Sequence, residues 1–184
     1  MVYDEFLIKS HIRTTPDWPA PGVQFRDISP LFHNPKVARM VTDSFVQRYI
    51  DAGLTHIAAI DARGFLLGSN LAYLLNKPLV LIRKAGKLPG AVDSETYASE
   101  YAPGTLEIQA EALMAAPTDP PPKVLLIDDL IATGGTIMAA TQLLRRQGGA
   151  VAEVAAIVDL ANLGGRARLC EADVPVFTLC TLAD

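Results

Sequence analysis

The feature that most constrains the fold is a strand, a turn, a helix and a second strand between residues 56 and 82. His56–Ile60 and residues 79–82 are almost wholly apolar, and residues 61–64 form a turn into an apolar helix that ends near Asn76. Strands that are apolar throughout are typical of parallel sheets buried on both faces, and right-handed helical crossovers join the strands of such sheets. The sequence therefore predicts an α/β fold with a central, mostly parallel sheet flanked by helices.

The rest of the chain continues this alternation. Further strands are predicted at residues 105–109, 124–127, 151–158 and 174–179, and a helix is predicted over 136–147. Apolar residues make up 50% of the 184 residues, which is enough for one substantial core and too little for two ordinary domains. We therefore expect a single domain over residues 1–184.

Two segments interrupt the regular pattern. A short helix over residues 3–12 is followed by a proline-rich arm at 15–30, whose prolines argue against regular structure. Asn34-Pro35 then predicts the start of a helix that ends near residue 51. Residues 84–101 show no period and are expected to form a long loop or a mobile hairpin, and long irregular segments in compact domains are often functional.

Composition excludes several classes of protein. The formal net charge of −4 argues against a nucleic-acid-binding surface, so an anionic substrate would need a local positive site. Cys170 and Cys180 lack the spacing of a metal site or a disulfide scaffold, and we expect both to be buried in a protein of a reducing compartment. No run resembles a signal peptide or a membrane span, which predicts a cytoplasmic protein. The histidines show no ligand spacing and are expected to be structural or solvated: His11, His33 and His56.

The strongest chemical signal is the string VLLIDDLIATGGT at residues 124–136. A buried strand leads to Asp128 and Asp129, and a loop of small residues then opens a helix. Gly134 and Gly135 allow the backbone to approach an anion closely, and the helix N-terminus supplies unpaired N–H groups. Adjacent carboxylates suit either vicinal hydroxyls or a hydrated Mg²⁺. The string therefore indicates a site for a sugar phosphate.

Two other phosphate motifs share parts of this pattern. A P-loop requires a lysine after its last glycine, and none stands there. A phospho-accepting receiver domain places its acid pair after the first strand, which the order of elements here does not match. An isolated acid pair or glycine pair is usually a polar turn or the start of a helix, but the complete string is too specific for that interpretation.

The complete string resembles the signature by which type I phosphoribosyltransferases bind 5-phosphoribosyl 1-diphosphate (PRPP). Other segments are similar, in the same order, to the adenine phosphoribosyltransferases: PGVQFRDISP at 21–30, DARGF at 61–65, LIRKAGKLPG at 81–90 and residues 100–109. The resemblance covers about residues 3–160. It implies the type I phosphoribosyltransferase fold, formation of AMP and diphosphate from adenine and PRPP in purine salvage, dependence on Mg²⁺, and a homodimer that binds neither nucleic acid nor membrane.

The resemblance assigns adenine binding to an N-terminal arm, residues 1–34, and to the segment after the acid pair. Phe25 would stack on adenine, the main chain at Val23 and Arg26 would bind its edge, and Leu130 would pack on its opposite face. A purine needs flat apolar walls and a few directed polar groups, so these residue types fit the ligand.

The resemblance also implies how PRPP and the metal bind. Arg63 would hold the diphosphate as a catalytic residue, after a cis peptide bond between Asp61 and Ala62. Mg²⁺ would bind through PRPP and water, with Asp128 or Asp129 as a candidate ligand. The basic cluster before the loop would contact diphosphate, also from the neighbouring subunit. The expected PRPP-binding residues are Arg63, Arg83, Lys84, Lys87, Asp128, Asp129, Ala132, Thr133, Gly134, Gly135 and Thr136.

Residues 84–103 would be a mobile catalytic loop in which Glu100 acts as acid and base near the purine N7. Two rival functions remain at the level of sequence. A sister enzyme for a 6-oxopurine or a pyrimidine would normally recognise the oxo group with a lysine or a similar donor, whereas the segment at Phe25 and Arg26 suggests backbone recognition of a 6-amino group. A PRPP-binding regulator would need a DNA-binding segment or a basic face.

Overall fold

The computed structural model describes residues 3–97, 103–113 and 120–183. The helices are α1 (Glu5–Ser10), α2 (Ser29–His33), α3 (Pro35–Tyr49), α4 (Gly64–Leu74), α5 (Gly135–Arg146) and α6 (Gly165–Glu171), with a 3₁₀ turn at Ala161–Leu163. The strands are β1 (Arg13–Pro16), β2 (Gln24–Asp27), β3 (His56–Ile60), β4 (Leu79–Lys84), β5 (Val92–Tyr97), β6 (Gly104–Gln109), β7 (Lys123–Ile127), β8 (Leu130–Ile131), β9 (Ala150–Leu160) and β10 (Val176–Leu182).

The central sheet joins the described strands in the order β10-β9-β7-β3-β4-β6-β5, with β8 also paired to β9. The strands from β10 to β4 in this order are parallel, whereas β6 and β5 form an antiparallel pair at one edge. The chain crosses from β3 to the neighbouring parallel strand β4 through α4, as the sequence predicts. The predicted α/β domain with a central, mostly parallel sheet is therefore confirmed.

Hydrophobic cores lie on both faces of this sheet, which explains why β3 is apolar throughout. Ile57 packs in one cluster with Phe45 of α3 and Leu67 of α4. Ile60 packs in a second cluster with Ile137 of α5. Ile57 and Ile60 are 0% and 1% exposed, and full burial of such a side chain contributes about 1.5–3 kcal/mol.

Several predicted boundaries agree closely with the structure. The strand at His56–Ile60 is confirmed, and the helix predicted over 136–147 is α5. Asn34 caps α3 as predicted, because its Oδ1 accepts the backbone N–H groups of Lys36 and Val37 at 3.1 and 3.4 Å. The local signals in these segments agree with the tertiary structure, so the elements form where the sequence favours them.

The prediction that residues 15–30 lack regular structure is wrong. Strands β1 and β2 form an antiparallel hairpin apart from the central sheet, with Thr15 opposite Phe25. A two-stranded sheet has no central strand, so prolines at its ends and in its connection break no interior ladder. Pro30 stands in the first turn of α2, where its missing N–H costs no hydrogen bond.

Residues 84–101 are predicted to form either a long loop or a mobile hairpin, and the described residues 92–97 form one strand of a hairpin. Strand β5 pairs antiparallel with β6, with Asp93 opposite Ile108 and Tyr97 opposite Gly104. The predicted catalytic acid, Glu100, lies outside the described residues. The mobility of this segment stays a prediction.

Helix α6 lies in a part of the chain for which no element is predicted, and it corrects one expectation. Within this short helix the side chain of Leu169 is buried, whereas the next residue, Cys170, faces away from the core and is exposed. The prediction that Cys170 is buried is therefore wrong, because only one face of the helix meets the sheet. The predicted burial of Cys180 is confirmed, with 3% of the residue exposed.

No helix within the described ranges combines the length and the apolar character that crossing a bilayer requires. Two histidine side chains make hydrogen bonds within the protein: His11 Nδ1 lies 2.9 Å from the carbonyl oxygen of Leu7, and His56 Nδ1 lies 2.9 Å from Thr55 Oγ1. These contacts agree with structural roles for both residues.

Candidate active site

The carboxyl ends of β3 and β7 meet at one edge of the sheet and bring opposite charges together. The two strands are parallel neighbours, with Ala59 opposite Ile127. Arg63 follows β3, and its Nε donates to Oδ2 of Asp129, which follows β7. The Asp129 side chain is only 7% exposed. Ligands of open α/β sheets bind outside the carboxyl ends of the strands, so this edge is the candidate site.

The adjacent carboxyl groups of Asp128 and Asp129 interact electrostatically. Burial, and then the charge of Asp129, raises the pKa of Asp128 well above its usual range, while the Arg63 guanidinium acts in the opposite direction. The N–H of Asp129 donates to Asp128 Oδ1 at 2.9 Å. The N–H of Asp128 donates to the carbonyl of Ala155 at 3.1 Å, which fixes the turn to β9. Two carboxyl groups that repel each other favour a cation or hydroxyl donors beside them.

The turn after β3 is joined to the turn after β4. The peptide bond between Asp61 and Ala62 is cis, as the family resemblance implies. Arg83 Nε donates to Asp61 Oδ2 at 3.1 Å, and Arg83 Nη1 donates to the carbonyl of Lys87 at 3.1 Å. Lys84 and Lys87 are exposed. The basic cluster predicted for diphosphate therefore lies along the same edge as the turn that carries Arg63.

Residues 132–134 connect β8 to α5, and the predicted cradle consists of these residues and the first two residues of the helix. Gly134 has a φ of +79°, in the left-handed region that favours glycine, and occupies the N-cap of α5. Its carbonyl accepts the N–H of Met138 at 2.9 Å, which begins the helix. The first N–H groups of a helix have no intrahelical acceptor, and the helix dipole adds positive potential there. The turn therefore has the geometry of an anion site, and it also contains Ala132, Thr133, Gly135 and Thr136.

Phe25, in strand β2 of the arm, contacts both another residue of the arm and a residue of the sheet edge. Its ring centroid is 4.3 Å from that of Trp18, with an interplanar angle of 66°. Arg63 Cζ lies 5.1 Å from the Phe25 ring centroid, within the range of a cation–π contact. The structure thus brings Phe25, Arg63 and Asp129 into one contiguous group.

The other residues predicted to bind adenine make contacts within the arm or the sheet. The N–H of Val23 donates to the carbonyl of Ala20 at 3.2 Å, and Arg26 Nη1 donates to Thr14 Oγ1 across the hairpin. Leu130 begins β8 and pairs with β9. Their roles toward adenine stay predictions.

The hairpin of β5 and β6 is attached to the far end of α5, the helix that begins at the cradle. Arg146 Nη1 donates to the carbonyl of Ser94 at 2.9 Å, and Arg146 also forms an ion pair with Glu95. Strand β5 leads directly into residues 98–102, which contain Glu100. Helix α5 therefore begins in the predicted cradle, and its C-terminal end contacts the hairpin whose strand β5 leads to Glu100.

Two residues of the site were not predicted from the sequence. Trp18, which packs on Phe25, is the single tryptophan of the chain and stands among prolines. Gly165 donates its N–H to the carbonyl of Ala132 at 3.0 Å, behind the cradle. The signal in the sequence was the pair Gly164-Gly165, since adjacent glycines often mark a close approach of two backbones.

The comparisons with known proteins agree with this geometry. A model of the phosphoribosyl transferase domain matches residues 27–178. An adenine phosphoribosyltransferase of Stutzerimonas stutzeri (strain A1501) is 58% identical over 179 residues, which cover 97% of this chain and 96% of that relative. The structure of adenine phosphoribosyltransferase from Rhodothermus marinus has a TM-score of 0.87 at 40% identity and covers 96% of this chain and 97% of its own. That of Saccharomyces cerevisiae, solved with an imino-altritol bisphosphate and adenine, has a TM-score of 0.85 at 34% identity, with coverages of 96% and 98%. The chain therefore belongs to the phosphoribosyltransferase domain family and, within it, to the adenine phosphoribosyltransferases.

Proposed function

We propose that the chain transfers the 5-phosphoribosyl group of PRPP to N9 of adenine, giving AMP and diphosphate, through the site at the edge of β3 and β7. The observation that carries this proposal is the ion pair of Arg63 with Asp129, beside the glycine turn that begins α5. Carboxylates, a phosphate cradle and cations are thereby available to one ligand, and PRPP requires all three.

The cradle receives the 5′-phosphate and the acid pair receives the ribose. Phosphate oxygens accept the N–H groups of residues 132–136, and the hydroxyls of Thr133 and Thr136 add donors. The 2′- and 3′-hydroxyls of the ribose donate to Asp128 and Asp129. Support comes from the burial of Asp129 and from its contact with Arg63, which hold the carboxylate in one orientation.

The diphosphate lies toward the basic cluster. Arg63 carries five N–H donors, so its bond to Asp129 leaves donors for phosphate oxygens. Arg83, Lys84 and Lys87 add positive charge along the same edge, where negative charge develops as diphosphate leaves. These residues bind the departing diphosphate more strongly in the transition state than in the ground state, which lowers the barrier to reaction.

The donor set also fits Mg²⁺. Mg²⁺ prefers oxygen ligands and is usually held by one or two carboxylates together with substrate phosphates. Within the described residues, no group of three or more His, Cys, Asp or Glu side chains is placed to hold a metal ion alone. We therefore assign Mg²⁺ to PRPP and water, with Asp128 or Asp129 as the protein ligand. An ion held by these groups would neutralise charge on the diphosphate.

The arm, residues 1–34, supplies the adenine site. Phe25 stacks on one face of the purine and Leu130 packs on the other, while the backbone at Val23 and Arg26 binds the edge that carries the 6-amino group. The contact of Phe25 with Arg63 supports this placement, because it puts the aromatic ring next to the predicted diphosphate residue.

The chemical step is a displacement at ribose C1′. The bond from C1′ to the diphosphate oxygen breaks, and its electron pair leaves with the diphosphate. The lone pair of adenine N9 forms the new bond to C1′ through an oxocarbenium-like transition state. The proton that adenine loses passes from N7 to the carboxylate of Glu100, which residues 84–103 deliver to the base. In reverse, Glu100 protonates N7 of AMP and helps adenine to leave.

We further propose a cytoplasmic homodimer in which the basic cluster of one subunit also reaches the diphosphate of the other. The exposed positions of Lys84 and Lys87 are compatible with this arrangement. Sedimentation equilibrium of the purified chain tests the dimer, and a monomer at micromolar concentration would contradict it.

The decisive experiment incubates the purified chain with PRPP, Mg²⁺ and one base at a time, with nucleotide products separated by chromatography. Adenine, hypoxanthine, guanine and uracil are the four bases, and a parallel set contains excess EDTA. We expect AMP from adenine, little product from the others and loss of AMP formation with EDTA. Comparable products from hypoxanthine would contradict the adenine assignment, and no product from any base would contradict the reaction.

A further inference from the structure

A second glycine turn lies directly behind the phosphate cradle. Gly164, with a φ of +72°, precedes Gly165, the first residue of α6. The N–H of Gly165 donates to the carbonyl of Ala132 at 3.0 Å. The backbone of this turn therefore contacts the backbone of the cradle.

The contact leaves no room for a side chain on Gly165 and little room for one on Gly134. A Cβ atom on Gly165 would lie 2.2 Å from the carbonyl oxygen of Ala132 and 2.8 Å from the nitrogen of Gly134. A Cβ atom on Gly134 would lie 3.2 Å from the carbonyl oxygen of Gly165. These neighbours are backbone atoms, so neither turn can make room without moving. The shape of the cradle thus depends on the position of Gly165.

Arg166 fixes that position. Its Nε donates to Asp159 Oδ2 at 2.7 Å, and its Nη2 donates to Thr178 Oγ1 at 2.5 Å. The Asp159 side chain is only 4% exposed, at the end of β9. Asp159 and Thr178 belong to neighbouring strands of the central sheet, so the start of α6 is tied to the sheet and serves as a fixed wall behind the cradle.

We infer that Gly165 and Arg166 are positioning residues for PRPP, because they hold residues 132–136 in the shape that receives the 5′-phosphate. The inference rests on the proposed function, in which that turn binds the phosphate. Binding groups must be held within about 0.5 Å of the productive geometry. A Cβ atom 2.2 Å from the Ala132 oxygen forces one of the two turns to shift. Because Arg166 ties the start of α6 to the sheet, we expect the cradle to move by more than this tolerance.

The test compares Gly165→Ala with Gly164→Ala. A Cβ on Gly164 meets no atom within 4 Å, although its φ of +72° makes the substitution strained. Gly164→Ala therefore controls for loss of stability at the same turn. We expect Gly165→Ala to raise the Kd of PRPP and of ribose 5-phosphate at least tenfold in calorimetry, and Gly164→Ala to raise it less than threefold. The KM of adenine, measured at saturating PRPP, should stay within twofold of wild type in both.

If Gly165→Ala does not fold, a second variant tests the same inference. Arg166→Met removes the ties to Asp159 and Thr178 without adding bulk behind the cradle. Arg168→Met, at an exposed position of the same helix, is its matched control. We expect Arg166→Met to raise the Kd of PRPP at least threefold, and Arg168→Met to leave it unchanged.

The outcomes separate this inference from the proposed function. If wild type binds PRPP while both Gly165→Ala and Arg166→Met bind it equally well, the positioning role is refuted. Equal losses toward PRPP and adenine would also refute it, because they would indicate general destabilisation. If wild type itself does not bind PRPP, the proposed function fails and the inference fails with it.

Discussion

Arg146 offers the sharpest test of how α5 holds the β5–β6 hairpin. Its guanidinium donates to the carbonyl of Ser94 at 2.9 Å and forms an ion pair with Glu95. We consider Arg146→Met, which keeps the aliphatic stem and removes both polar contacts. Arg145→Met is the matched control, because Arg145 stands next to it in the last turn of α5 and has the same favourable position in the helix dipole.

The magnitude follows from the exposure of the two partners. The Arg146 and Glu95 side chains are 49% and 23% exposed, so solvent screens the ion pair and limits its contribution to about 0.2–1 kcal/mol. The charged hydrogen bond to Ser94 contributes about 1 kcal/mol more at such a position. We therefore expect Arg146→Met to lower the free energy of unfolding by about 1–2 kcal/mol relative to Arg145→Met.

Urea denaturation measures this loss, and a double-mutant cycle with Glu95→Gln isolates the ion pair. The coupling energy should be about 0.2–1 kcal/mol and should fall as salt is added. Hydrogen exchange should accelerate in residues 92–97 and 104–109 before it does so in β3. Since β5 leads into the segment with Glu100, kcat should also fall while the KM of PRPP is retained. Equal stability of the two arginine variants, or exchange that is unchanged in the hairpin, would refute the reasoning.

Four further results are expected. Adenine should be converted at least about a hundredfold more efficiently than hypoxanthine, because an oxo group would leave buried backbone groups unpaired, and competing-substrate assays that gave equal kcat/KM would contradict this. Gly134→Val should weaken PRPP binding more than adenine binding in calorimetry, since its Cβ would crowd Gly165 and its branch the phosphate; unchanged PRPP affinity in a folded variant would place the phosphate elsewhere. Glu100→Gln should lower kcat by about 10² to 10⁴ with PRPP affinity nearly intact, and a variant that kept more than about a third of wild-type kcat would exclude Glu100 as the acid and base. Glu153→Gln should lower the free energy of unfolding by about 1–3 kcal/mol at pH 7, because the bonds of Glu153 to Arg48 and Tyr49 outweigh its burial and lower its pKa. The Glu153 carboxylate stabilises the fold above its ordinary pKa of 4.5, so the difference between wild type and variant should shrink as the pH falls below that value. A difference in unfolding free energy that does not change with pH would disprove this prediction.

Local signals determined much of this protein at the level of sequence. Runs such as His56–Ile60 are apolar on both faces, and only a sheet covered on both sides buries such a strand. Asn34 and Pro35 specify the start of α3 through the chemistry of one helical turn. Gly134 could be assigned to the cradle because a residue without a side chain lets the backbone approach an anion closely, which is a property of the residue itself.

Contacts between distant segments were decided only by the tertiary structure. The pairing of Arg63 with Asp129 joins residues 66 positions apart and depends on β3 and β7 being neighbours. Cys170 is exposed because only one side of α6 faces the sheet, a property that composition does not encode. Strands β1 and β2 form a hairpin despite the prolines around them, because their pairing depends on a partner strand and not on a local propensity. Gly165 lies behind the cradle for the same reason: the sequence shows that a residue can approach another backbone, but only the packed fold determines which backbone it meets.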